Sequence, residues 1–339
     1  MKNLMIRNGP NFLLTALCVL ACCRAAQGQI ATTVLEIEVE NYVNYFNDVA
    51  DYSKLATDPN KTAVAQVRNF AQSIGVADIV SVNGEPAKGI FTDRRIQLAL
   101  AVNPTAGQAI ADAARSNIHD RYFEILKPDG TLIGTIVMTG RGGGSPPPGA
   151  PSAILNADFT VVGGTGAFLG VRGQAGGTRD PRPEARSASM SEDPGNRRMH
   201  GGGQRRFVLH LIPLSRPEVV VTTDGPAVVH AGDFTLVTAA KPARSGEILS
   251  LVASHLGPTG PGVDPGQPFP ASPRQIVNSP MAVTVNGAAA DVLYAGGYPG
   301  TTNAYQVNFR LPSGIRPGLA NLQLTVAWIA GPEVKIAVQ

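Results

Sequence analysis

From Met281 to the C-terminus the chain alternates apolar and polar residues in short runs broken by turn signals, and this pattern most narrows what it can fold into. Val283 and Val285 alternate, Asn286-Gly287 follows, and Val292 and Tyr294 open a new run. Asn-Gly accepts the left-handed backbone of a two-residue turn at little cost, so the segment reads as a β-hairpin. The same spacing recurs in Tyr305-Gln-Val-Asn-Phe-Arg-Leu-Pro312 and in Leu322, Leu324, Val326 and Trp328, and it continues to Val338. Side chains at period two line one face of a strand, and that face must be covered. The C-terminal part is therefore expected to be a succession of β-hairpins, with Trp328 at least partly buried in its strand.

The composition agrees with a mainly β chain. There are 38 Gly and 27 Pro, and only 16% of residues are charged, as expected of many turns and short strands. The first residues read as an export signal. Lys2 and Arg7 precede an apolar run from Asn11 to Cys23, and Ala26-Gln-Gly28 offers small residues for cleavage before Gln29. The run is shorter than the roughly 20 residues of a membrane span, so no transmembrane segment is expected. A rival reading makes Val19-Leu-Ala-Cys22 a degenerate lipoprotein box, with lipid attached at Cys22. All three cysteines (Cys18, Cys22, Cys23) fall inside the signal, so the exported chain carries no disulfide and no thiolate. Three basic residues leave with it, and 25 Lys and Arg then face 25 Asp and Glu. That neutrality supplies no electrostatic ground for nucleic acid as a partner.

The remainder, about 310 residues, is long enough for two domains. We place the first over 29–213 and the second over 217–339, joined at Ser215-Arg216-Pro217. In the first, Leu35, Ile37 and Val39 alternate with Glu36, Glu38 and Glu40, a strand with one wet face. A helix is expected from Asp58 to Ile74, ended by Gly75, and a second over Asn103–Ala114. Ile79–Val82, Ile90–Val102, Tyr122–Leu126 and Leu132–Thr139 read as strands, with turns at Asn83-Gly84 and Pro128-Asp-Gly130. The stretches 140–152 and 176–206 are poor in large apolar residues and are expected to be mobile loops. Phe207–Ile212 reads as a buried strand beyond them.

Two resemblances bear on these halves. The C-terminal wording, Met281-Ala-Val-Thr-Val-Asn-Gly through Tyr305-Gln-Val-Asn-Phe-Arg-Leu-Pro, resembles an Ig-like C-terminal domain of secreted acidobacterial proteins. Val162-Gly-Gly-Thr-Gly-Ala-Phe168, Gly170-Val-Arg-Gly173 and Phe207-Val-Leu-His-Leu211 resemble the allene oxide cyclase and dirigent β-barrel superfamily. The resemblances imply an α+β cyclase-like barrel followed by an Ig-like sandwich.

Candidate chemistry is sparse. Val161–Gly170 lacks the third glycine and the following helix of a dinucleotide fingerprint, so no cofactor is expected. The histidines (His119, His200, His210, His230, His255) form no ligand pair, and no metal is expected. His210, on an otherwise apolar strand, is the one residue nominated to line a ligand cavity. The arginines from Arg179 to Arg206 are interleaved with Asp180, Glu184, Glu192 and Asp193, without aromatics for base stacking, and read as a solvated loop. Glu36, Glu38 and Glu40 read as a wet sheet face rather than a carboxylate pair. Tyr42, Tyr45, Phe46 and Tyr52 form the densest aromatic group and read as core. The expected function is a secreted, non-enzymatic binding or surface-associated protein. Its barrel would take a small apolar ligand, an extracellular protein or a glycan, with the sandwich as spacer or association module. The alternative is an isomerase or cyclase acting on a small apolar substrate in the barrel cavity.

Overall fold

Wherever the N-terminal half alternates, it folds as strand. In the computed structural model, which describes residues 32–46, 72–97, 117–142, 157–176 and 185–339, β1 (Thr33–Phe46) buries Leu35, Ile37 and Val39 and leaves the three glutamates on its other face. It is followed by β2 (Gln72–Val82), β3 (Glu85–Pro86), β4 (Lys88–Gln97), β5 (Asn117–Leu126) and β6 (Leu132–Gly142). Then come β7 (Ala157–Gly166), β8 (Arg172–Gly176), β9 (Arg186–Ser189) and β10 (Gly203–Ile212). A 3₁₀ turn, Pro194–Asn196, and a one-turn helix, Arg197–His200, lie between the last two.

These ten strands form one sheet. Antiparallel pairing runs β1–β2–β4–β5–β6–β7–β8–β10 and returns to β1, closing a barrel-like ring. Strand β9 adds to β1 in parallel, Val43 opposite Arg186. A bulge follows Val39, where Asn41 takes φ 53°. It changes the phase of the strand so that Tyr42 is buried as Val39 is.

The two ends of the ring differ. One is closed by tight turns. Asn83-Gly84 has both residues at positive φ, as an Asn-Gly hairpin turn requires, and Lys127–Thr131 and Ala167–Val171 complete that end. From the opposite end the chain leaves by 47–71, 98–116, 143–156 and 177–184. The middle is filled. Phe91, Phe123 and Phe207 pack with ring centroids 4.7 to 5.1 Å apart, above buried Leu35, Ile37, Ile125 and Ile136. Each such side chain contributes roughly 1.5–3 kcal/mol on burial.

The second sheet spans β11 (Glu218–Val219) to β23 (Val334–Val338). The short strands β12 (Val221–Thr222) and β13 (Gly225–Pro226) pair apart from it as a hairpin of their own. It continues through β14 (Val228–His230), β15 (Ile248–Ser254), β16 (Thr259–Gly260), β17 (Ile276–Val277) and β18 (Met281–Val285). The rest is β19 (Ala288–Gly297), β20 (Ala304–Arg310), β21 (Gly318–Val326) and β22 (Ile329–Ala330). Asn286 and Gly287, at φ 49° and 79°, make the anticipated hairpin between β18 and β19. No strand pairing joins the two sheets among the described residues, yet buried apolar contacts run continuously through both.

Several expectations need correction. The helix drawn to Ile74 and ended by Gly75 is strand from Gln72 onward, and 58–71 lies outside the described residues. Gly75 is there for space: a Cβ would stand 2.7 Å from the Tyr42 ring. The second helix, the signal segment, Tyr52, 98–102 and most of 140–152 also lie outside the described residues, whereas Gly140–Gly142 belongs to β6.

The stretch 176–206 is not a uniformly solvated loop. Arg186 is buried and holds both oxygens of Glu192 at 2.9 and 2.6 Å. Asp78 accepts from Arg197 and from Arg198. Ion pairing supplies what apolar side chains lack there. Trp328 lies beyond its strand, in a two-residue turn with Ala327, at φ 63° and 48°. It is half-buried, and its indole N–H donates to Glu85 Oε2 at 3.0 Å.

Candidate functional site

The charged interior of the barrel gathers at the end from which the long connections leave. Phe91, Asp93 and Arg95 succeed one another on one face of β4, and His119, Arg121 and Phe123 on one face of β5. The register sets Asp93 opposite Arg121 and Arg95 opposite His119. Tyr42 enters from β1 through its bulge, and Phe159 covers the group from β7.

Asp93 is fully buried and is the hub. Its Oδ1 lies 2.7 Å from His119 Nδ1, and its Oδ2 accepts from the Tyr42 hydroxyl at 3.2 Å. Arg121 Nε approaches Oδ2 to 3.2 Å and Arg95 Nη2 to 3.5 Å. Burial alone would raise the Asp93 pKa. The charges of Arg121, His119 and Arg95, with the His119 hydrogen bond, outweigh it and hold the carboxyl well below the usual range. Burial pushes His119 below its ordinary value against the pull of Asp93, and so favours the neutral ring. With Asp93 ionised, Nδ1 carries the proton and Nε2 is left as an acceptor. Burial raises Tyr42, with Asp93 adding to the effect, which keeps its hydroxyl a donor.

Arg121 is 4% exposed. Its guanidinium lies over the Phe159 ring, 3.7 Å from the centroid, a contact worth about 2 kcal/mol when desolvated. The approach of Nε to Asp93 is an ion pair misaligned for a hydrogen bond, and the buried Nε atoms of Arg121 and Arg95 have no hydrogen-bond acceptor among the described residues. Arg95 Nη2 donates instead to Asn44 Oδ1 at 2.8 Å. The arrangement can hold an anion against Arg121 and can move a proton at His119 Nε2. Among the described residues no three His, Cys, Asp or Glu side chains converge.

The residues singled out from sequence stand elsewhere. His210 is exposed, because its neighbours Leu209 and Leu211 occupy the inner face of β10; it lines no barrel interior. Glu36 pairs with Arg206 at 2.9 Å, Glu38 accepts from Ser81 and Glu40 from Gln204, all across the outer face. Tyr45 belongs to a small separate core with Val43 and Ala188. His230 is buried in the second sheet, bonded to Glu247 Oε1 at 2.6 Å and to the Lys241 carbonyl, whereas His200 and His255 are exposed. A cleft of about 570 Å³ lies between Gly166–Leu169 and the segment His255–Phe269, without a buried charge in its lining.

Asp93, His119 and Arg121 escaped sequence reasoning because each looks like an ordinary strand residue. The available signal was phase: His119 and Arg121 share the period of Phe123 and Ile125, the buried face. No protein-family model, curated protein or solved structure matches the chain.

Proposed function

We propose that the chain is an exported, non-enzymatic binding protein whose barrel takes a small ligand at the end bearing Asp93, His119 and Arg121. The second sheet serves as a spacer or association module. The observation that carries this reading is the gathering of the barrel's central buried charges at one end, above a filled apolar interior. Buried ion pairs add little stability compared with apolar packing of equal volume, so this cluster is poorly explained as a stabilising device. Binding sites combine an apolar setting with a few converging polar groups, and Phe159 beside Arg121, His119 and Tyr42 is such a set. Native mass spectrometry of the full exported chain, with NMR of the His119 ring on adding the co-purified compound, tests it. A compound that shifts the His119 signals is expected; one that leaves them unmoved would remove the site.

The Asp93–His119 pair favours a second reading, acid–base catalysis of an isomerisation. A carboxylate that orients a neutral imidazole leaves Nε2 ready to accept a proton. Incubation of the bound compound with the protein in D₂O separates the two. No deuterium uptake is expected of a binder, whereas uptake abolished by His119→Gln would mark a catalyst.

A further inference from the structure

Building on the barrel-end reading, we infer that the ligand presents a single carboxylate, held by the Nη edge of Arg121. Guanidinium is a planar fork of five donors. At Arg121 the Nε edge is turned to Asp93, so the edge formed by the two Nη groups faces away from it. No hydrogen bond from either Nη joins a described residue, and unlike Nε neither Nη is among the fully buried unpartnered atoms, so the 4% of the side chain that is exposed includes this edge. A planar carboxylate arriving at that edge satisfies both Nη donors at once.

Charge selects among oxyanions. Arg95 and Arg121 bring two positive charges to the one negative charge of Asp93, while the environment of His119 favours its neutral form. Arg205, whose guanidinium lies 4.9 Å from the Phe207 ring centroid, adds its positive charge to the field at Arg121 and Tyr42. Among the described residues the set is therefore net positive and draws an anion; a planar monoanionic carboxylate matches the planar fork, whereas a phosphate dianion sets twice the charge against Asp93. The face of Phe159 fixes the plane of the guanidinium, and thereby the plane in which a carboxylate docks. Tyr42 and His119 Nδ1, both committed to Asp93, hold that carboxylate away from the Nη edge.

The test uses the full chain with hexanoate, hexanamide, hexylamine and hexyl phosphate at fixed ionic strength and pH 7.5. Calorimetry supplies affinity, and the ring NMR signals of His119 report location. Hexanoate is expected to bind about 10-fold or more tightly than hexanamide, in line with hydrogen bonds to charged groups, and more tightly than hexyl phosphate. Arg121→Gln should erase the preference for hexanoate, and Arg121→Lys, which keeps the charge without the fork, should retain only part of it. Should Arg121→Gln fail to fold by circular dichroism, the wild-type series still decides. If hexanamide, hexylamine or hexyl phosphate equals or exceeds hexanoate while shifting His119, the carboxylate assignment falls and the barrel-end reading stands. If no compound shifts His119, both fall.

Discussion

The two sheets enclose cores of similar apolar character but differ in the charge they bury. Inside or against the barrel lie Asp78, Asp93, His119, Arg121, Arg186 and Arg197, each under 9% exposed. Among the described residues of the second sheet, no Asp, Glu, Lys or Arg is buried, and His230 stands with Ser250, Thr259, Gln275 and Ser279 as its buried polar groups. Both sheets demonstrate that alternating Val, Leu, Ile and Phe suffice to build the core. Ionic groups in the barrel are therefore additions to a fold that apolar burial already supports. They fall into two sets with different work. Asp78 with Arg197 and Arg198 fastens the arginine-rich segment to the barrel wall, and Arg186 with Glu192 ties that segment to itself. The Asp93 set faces inward, and among the described residues it fastens no separate segment.

The sharpest way to break this comparison is to remove one carboxylate from each sheet. Asp93→Ala strands Arg121 inside the barrel and should cost about 3–5 kcal/mol. Glu247→Ala removes one of the two hydrogen-bond partners of His230, which keeps the Lys241 carbonyl, and should cost about 1–2 kcal/mol. Urea unfolding measures both; equal losses would make the barrel cluster energetically ordinary.

A pH titration sharpens it next. His119 is held below its ordinary value of 6.5 in the folded chain, so the unfolded chain takes up its proton first and stability falls as pH drops below about 6.5. Asp93 is held below its ordinary 3.8; its contribution is present above that pH and is lost as pH falls further. Denaturation midpoints from pH 8 to pH 3 should show both declines, and His119→Gln should abolish the first and weaken the second, because His119 also helps to hold Asp93 down.

Smaller effects test the outer surfaces. Trp328→Ala should cost about 1 kcal/mol, since the ring is half-buried and its bond to Glu85 is exposed. Native emission should lie between buried and water-exposed values. Glu36→Gln breaks a pair whose side chains are 34% and 40% exposed, and thermal melting should register a change of less than about 1 kcal/mol.

Much of the fold was legible from particular residues. Asn83-Gly84 and Asn286-Gly287 fall where their dipeptides predict, because positive φ is a local backbone property. Leu35, Ile37 and Val39 announce their buried face because pleating makes every second residue share a side. The arginine-rich segment misled because its ordering comes from Asp78, far away in sequence, rather than from its own apolar content. Gly75 misleads in the same way: in sequence it reads as a helix stop, whereas it makes room for the ring of Tyr42 on the neighbouring strand.

Strands, turns and inner faces were thus determined by sequence, through interactions that reach only a few residues along the chain. The bulge after Val39, the return of β10 to β1 and the register of β4 against β5 were decided by tertiary structure, and with them the meeting of Tyr42, Asp93, His119 and Arg121. Closing the ring fixes which inner faces share one end, and that depends on every pairing together rather than on any one segment. A buried charge acquires its chemistry from what closure brings against it.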